Sequence, residues 1–332
     1  SSAASDVYKR QLKVPCNLPG MKKLFLLISL LLFGACSNKE EAAKTDGTVV
    51  TTIGMIADVS RQIAGDNQEI INLIGEGIDP HMYQPSKSEI DKIQKAGLVL
   101  YNGLFLEGKM GTILKSRADQ GNPVSAVAEE IDIQVIGSSV PDPHLWMDVS
   151  IWSKVAKNIG DELATFDSKN ADEYQKRREE YQKNLNDLHT YALMVFPTIP
   201  EKQRVLVTAH DAFSYLGRAY GIEVRGIQGI STESEAGTKD INDLVTYLVD
   251  NKIPAIFVES SVSEKSVKTV IEGAAEKGHT VKIGGELFSD AMGPAGTYQG
   301  TYIGMMDHNI TTIVNALGGS APKGGFQNKL ND

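Results

Sequence analysis

Two copies of Asp-Pro-His, Asp79-Pro80-His81 and Asp142-Pro143-His144, are the segments of this chain best suited to chemistry. Two more words join them, Thr208-Ala209-His210-Asp211 and Phe288-Ser289-Asp290. The chain has only 6 histidines, and His81, His144 and His210 all stand in settings rich in Pro, Gly or Asp. Proline fixes its own φ and drives the preceding residue out of the helical region, so a histidine after it sits on stiff chain. Asp79 and Asp142 either simply form turns or orient the imidazoles as hydrogen-bond acceptors behind them. Three neutral imidazoles and one carboxylate suffice to surround a divalent transition metal and leave one positive charge. His189, His279 and His308 read as surface or packing histidines.

These words must be positioned by the elements around them. Residues 49–53, 69–74, 98–101 and 131–136 read as strands, with helices at 55–64 and 86–96. Such alternation argues for a parallel sheet with helices on its faces. Residues 168–196 then run almost without turn signals, dense in Glu, Lys, Arg and Gln. Tyr174, Tyr181, Leu185, Leu188 and Ala192 share one face of a long amphipathic helix that ends before Pro197. At about 1.5 Å per residue it runs roughly 40 Å, the length of a rod between two lobes. Its apolar positions are too few for a sustained coiled-coil heptad. Alternation resumes with strands at 204–208, 223–227, 255–258 and 280–283 and helices at 212–220, 239–250, 264–275 and 300–317.

The expected fold is therefore α/β: two lobes, each a parallel sheet flanked by helices, joined by one long linking helix. The boundaries read as an N-terminal lobe at 48–167, the linking helix at 168–197, a C-terminal lobe at 198–320 and a tail at 321–332. Each candidate ligand follows a strand, and open parallel sheets bind ligands beyond the carboxyl ends of their strands. Two facing sheets would bring two ligands from each lobe to a shared cleft.

A chain of 332 residues with 41% hydrophobic and 23% charged residues has enough material for two lobes with cores. A net charge of -9 argues against a nucleic-acid partner. Met21-Lys22-Lys23, an apolar run at 24–33 and Gly34-Ala35-Cys36 have the layout of a secretory signal. Cys36 makes residues 21–36 resemble a bacterial lipoprotein signal, with that cysteine lipidated; an ordinary signal peptide is the alternative. Phe33 stands where such signals usually carry Leu. Residues 1–20 are expected to lie outside the native protein, and polar residues 37–47 read as a tether. Cys16 and Cys36 are the only cysteines, so a body processed at Cys36 has no disulfides or cysteine-ligated zinc.

Gly77-Ile78-Asp79-Pro80-His81-Met82-Tyr83-Gln84-Pro85-Ser86, Asp142-Pro143-His144-Leu145-Trp146-Met147-Asp148 and Thr208-Ala209-His210-Asp211-Ala212-Phe213 resemble the TroA-like zinc and manganese receptors of metal ABC transporters. So do Arg218-Ala219-Tyr220-Gly221-Ile222, Gly226-Ile227-Gln228-Gly229-Ile230-Ser231-Thr232, Phe257-Val258-Glu259-Ser260 and Leu287-Phe288-Ser289-Asp290. The resemblance spans about residues 48–317. It implies two α/β lobes on one long helix with the metal between them, and it carries the four ligand positions onto His81, His144, His210 and Asp290. The third position is His in some members and Glu in others that take manganese. The His-rich loop of zinc-scavenging members is absent, since residues 119–142 hold no histidine.

The implied cargo is one Zn²⁺ or Mn²⁺ ion per chain, and the implied partners are an ABC permease and its ATPase. The chain itself carries no Gly-x-x-x-x-Gly-Lys-Ser/Thr word for ATP. A lipid-anchored extracytoplasmic monomer that is not an enzyme follows from the same resemblance. Two other readings compete: a zinc-dependent hydrolase using Glu259 or Asp290 as base, and a surface adhesin with a structural metal. The hydrolase has no His-Glu-x-x-His word, and the adhesin no surface that the sequence names.

Overall fold

A computed structural model describes residues 47–131 and 141–330. The signal, Cys36, the tether apart from Gly47, and the strand expected at 131–136 apart from Ile131 lie outside the described residues. The N-terminal half runs β1 (Val49–Thr51), α1 (Gly54–Ala64), β2 (Ile70–Asn72), α2 (Lys87–Lys95), β3 (Leu98–Tyr101), α3 (Gly111–Asp119) and β4 (Val124–Ala126). These strands form one parallel sheet in the order β2-β1-β3-β4, with Val50 opposite both Ile71 and Val99. Val49, Val50, Val99 and Leu100 are completely buried, as a parallel sheet covered on both faces requires. The sheet's fourth strand is therefore the short Val124–Ala126 segment, too brief to show a period. Ser86 and Glu89 close a reciprocal capping box at the start of α2.

Two helices follow, α4 (Val149–Phe166) and α5 (Ala171–Val195). α4 lies outside the expected elements, although Val149, Trp152, Val155, Ala156, Ile159 and Leu163 form its buried face. Asp148 starts it by accepting hydrogen bonds from the backbone N–H groups of Ser150 and Ile151. In α5 the five residues expected on one face, Tyr174, Tyr181, Leu185, Leu188 and Ala192, are all buried. Helical turns at Ser168–Asn170 and Phe196–Thr198 extend it at both ends. It is a core element rather than a bare rod, because it packs against α4, α1 and α9 (Tyr302–Ala316). Each fully buried leucine on this face contributes about 1.5–3 kcal/mol of transfer free energy.

Before α9, the C-terminal half runs β5 (Val205–His210), α6 (Ser214–Tyr220), β6 (Glu223–Gln228), α7 (Thr238–Asp250), β7 (Ala255–Glu259), α8 (Lys265–Glu276) and β8 (Lys282–Leu287). Parallel pairs β5-β6 and β7-β8 lie side by side, with β5 next to β7. A second core, including Val207, Leu248, Ile256 and Val270, fills the space under α7 and α8. The fold is the expected α/β arrangement of parallel sheets and a long central helix. Several strand ends differ from expectation, and those of β5 and β8 bear on the site. β5 continues to His210 itself, and β8 runs on to Leu287, three residues short of Asp290. Gly284-Gly285 reads as a break in sequence, yet Gly284 lies in the strand where a Cβ would come within 2.8 Å of the Phe257 ring.

Candidate metal centre

The same Asp-Pro-His word does two different jobs. In both copies an aspartate oxygen accepts the N–H of the histidine two residues on, at 2.8 Å for Asp79 and 3.0 Å for Asp142. This is the turn that the sequence suggested. Asp142 Oδ1 also lies 2.6 Å from His144 Nδ1 and orients the ring. Asp79 instead directs its second oxygen to the Thr232 hydroxyl, in the other half of the molecule. Among the described residues, the polar and aromatic contacts of the His81 ring are with the other three candidates.

His210, the last residue of β5, is braced by Glu259, the last residue of β7. Glu259 Oε1 accepts the His210 backbone N–H at 2.9 Å, and Oε2 lies 2.6 Å from Nδ1. Glu259 therefore faces the far side of the imidazole, a place different from that of the hydrolytic base considered for it. Asp290 is set by its loop. Asn309 on α9 clamps Phe288 by accepting its N–H at 2.9 Å and donating to its carbonyl at 2.7 Å. Trp146, just after His144, donates to the Ser289 carbonyl at 2.8 Å. One indole thus ties the segments of two candidate ligands together.

The four side chains converge. His81 Nε2 lies 3.4 Å from His144 Nε2 and 3.7 Å from Asp290 Oδ2. Asp290 Oδ1 is 3.3 Å from His144 Nε2, and Oδ2 is 3.2 Å from His210 Nε2. All four ligand atoms fall within 4.8 Å of one another, and all four residues are buried. A tetrahedral zinc site with bonds of about 2.0–2.1 Å places its donors about 3.3 Å apart. His210 Nε2 and both Asp290 oxygens are enclosed without a well-directed hydrogen bond. Enclosed polar atoms in that state are costly, and a cation at their common centre would satisfy them. With Nδ1 of His144 and His210 donating to carboxylates, each Nε2 turns a lone pair inward.

Charge follows the same geometry. Burial pulls the His144 imidazole down, but Asp142 and Asp290 outweigh it and raise it to about 9. Burial likewise opposes the rise at His210, where Glu259 and Asp290 prevail. Burial pushes the Asp290 carboxyl up, yet His210 and His144 hold it well below the usual carboxylate range. His81 goes the other way: burial lowers it to about 4. A metal entering this group therefore displaces protons from imidazoles.

The other histidines are structural, as expected. His189 Nδ1 meets the Tyr220 hydroxyl at 3.1 Å, while His279 and His308 donate to the carbonyls of Ile253 and Glu286. Gly108 lies against the site with φ +42°, and a Cβ there would sit 2.6 Å from the His81 carbonyl oxygen. Only glycine meets both demands.

A model of the family "Zinc-uptake complex component A periplasmic" (ZnuA) matches residues 49–316. The zinc-binding protein TroA of Treponema pallidum is 44% identical over 286 residues, covering 85% of this chain and 92% of that protein. The manganese-binding lipoprotein MntA of Bacillus subtilis is 45% identical over 273 residues, covering 81% and 89%. The solved structure of the periplasmic zinc-binding TroA from Treponema pallidum superposes with a TM-score of 0.80 at 45% identity, covering 82% of this chain and 99% of that one.

Proposed function

Because the chain belongs to the ZnuA family of periplasmic zinc-uptake components, we propose that it captures one Zn²⁺ or Mn²⁺ ion outside the cytoplasm and hands it to an ABC permease and its ATPase. The ligands in this proposal are His81, His144, His210 and Asp290. The observation that carries it is the convergence of four buried donors, three of whose inward atoms lack a directed hydrogen bond. A complete four-donor shell leaves no open position for a reacting water, which suits carriage rather than catalysis. The hydrolase reading also loses a candidate base, since Glu259 is engaged with His210 on the side away from the other ligands.

Lipidation at Cys36 belongs to the same proposal and is in keeping with a relative named as a lipoprotein. No helix among the described residues is long and apolar enough to cross a membrane. The working form is a monomer, with lobes at 48–167 and 198–320 on either side of a linking helix at 168–197. Three imidazoles and a carboxylate favour zinc over manganese in the isolated protein, following the Irving–Williams order. Manganese becomes the physiological cargo where zinc is scarce.

The test is elemental analysis of protein purified without added metal, then titration of Zn²⁺ against Mn²⁺. One ion per chain is expected, with zinc displacing manganese at equal concentrations. Asp290→Ala should lose affinity, whereas a hydrolase using Asp290 as base would keep its metal and lose turnover. A protein that takes up no zinc or manganese refutes the reading.

A further inference from the structure

The four ligands are not held equally. His144 has Asp142 behind its ring, and His210 has Glu259. Asp290 sits on a loop clamped by Asn309 and Trp146. Among the described residues, the His81 ring has no such brace, and its position depends on its backbone. That backbone lies in a segment fastened across the cleft. Asp79 Oδ1 holds the His81 N–H at 2.8 Å while Oδ2 accepts from the Thr232 hydroxyl. Upstream, the Glu76 carboxylate accepts the backbone N–H of Ala295, also in the other half. A Cβ on Gly108 would come within 3.7 Å of Glu233, next to Thr232, as well as against the His81 carbonyl. The loop bearing Thr232 thus reaches over the His81 segment.

We infer that Thr232 is a positioning residue for metal retention: through the Asp79 carboxylate it clasps the His81 loop to the opposite half and sets how fast the ion leaves. The Thr232 hydroxyl donates to Asp79 and not to a ligand side chain. One carboxylate serves both ends of the link, so opening the clasp frees Oδ2 and leaves the Asp79 group that orders the His81 turn without its hold on the opposite half. His81 is then the first ligand to withdraw, while the three braced donors stay in place. The inference rests on the capture reading above and adds to it the residue that controls release.

The measurement is Zn²⁺ dissociation from the intact protein into an excess of chromophoric chelator, followed by stopped flow. Thr232→Val keeps the shape and removes the hydroxyl. Losing a hydrogen bond to a charged group predicts dissociation faster by about tenfold or more. Thr232→Ser restores the hydroxyl and should return the rate to near wild type, a rescue that a packing role would not give. In an Asp79→Ala background, where the acceptor is gone, Thr232→Val should add nothing further. Melting of the metal-free protein should change little in either Thr232 variant. An unchanged rate in Thr232→Val overturns the clasp, and so does a Thr232→Ser rate as fast as that of Thr232→Val. Both outcomes leave the capture reading standing if wild type holds its zinc. A wild-type protein that retains no Zn²⁺ sinks capture and clasp together.

Discussion

Replacing Glu259 with glutamine changes almost no volume, yet it should damage the metal site. Both carboxylate oxygens are engaged by donors on one residue: Oε1 takes the His210 backbone N–H at 2.9 Å, and Oε2 faces Nδ1 at 2.6 Å. An amide can present its oxygen to only one of them. With its NH₂ toward Nδ1, the ring must move its proton to Nε2, the atom that should bind metal. With its NH₂ toward the backbone, two donors collide in a buried site. Loss of such an outer partner lowers metal affinity by about 10–100-fold, which corresponds to about 1.4–2.7 kcal/mol. The comparison is Asp142→Asn. A single oxygen, Oδ1, accepts both the His144 N–H at 3.0 Å and the Nδ1 contact at 2.6 Å. An asparagine carbonyl placed there keeps both bonds and gives up only the charge, so the loss should stay below about tenfold. Chelator-competition titrations of the two variants read this contrast directly. Equal losses, or full affinity in Glu259→Gln, would refute the tautomer argument.

Apparent Zn²⁺ affinity should keep rising with pH through about 9, where metal-free His144 gives up its proton; a plateau from neutral pH upward, in the same titration, contradicts the proton competition. Because that folded pKa is raised above the ordinary 6.5, His144 stabilises the metal-free fold below pH 6.5 and loses this contribution as pH climbs through about 9. The melting-temperature gap between wild type and His144→Ala should therefore shrink across that window. Gly108→Ala combines a left-handed backbone with a Cβ 2.6 Å from the His81 carbonyl, so it should lower the melting temperature and weaken zinc binding together, by at least about 1 kcal/mol in stability. Thermal melts with and without Zn²⁺ check it, and an unchanged zinc-induced shift would separate this glycine from the site.

Much of the fold lay open to reading because local patterns carry it. The buried face of α5 is a period of apolar residues over 25 residues, and a signal that long survives any tertiary context. β3 and residues 255–258 of β7 are continuous apolar runs of the kind a covered parallel sheet demands. What went unread was short or disguised. β4 has three residues, too few for a period, and the glycine pair inside β8 mimics a turn. α4 did carry a period, but it begins directly after the His144 word, and no element was expected there.

The site divides the same way. Residue type and stiff local chain point to His81 and His144, because proline acts on the chain within a few positions, and the family resemblance implies the full set of His81, His144, His210 and Asp290. Nothing local distinguishes Asp79 from Asp142, which occur in identical words. Only packing sends one carboxylate to its own histidine ring and the other to Thr232, 153 residues away. Only packing, too, sets Glu259 behind His210 and encloses the Asp290 oxygens. Donor chemistry belongs to single residues and is written in the chain. The second partner of each donor, and with it proton placement and grip, depends on distances between remote segments that only the folded protein establishes.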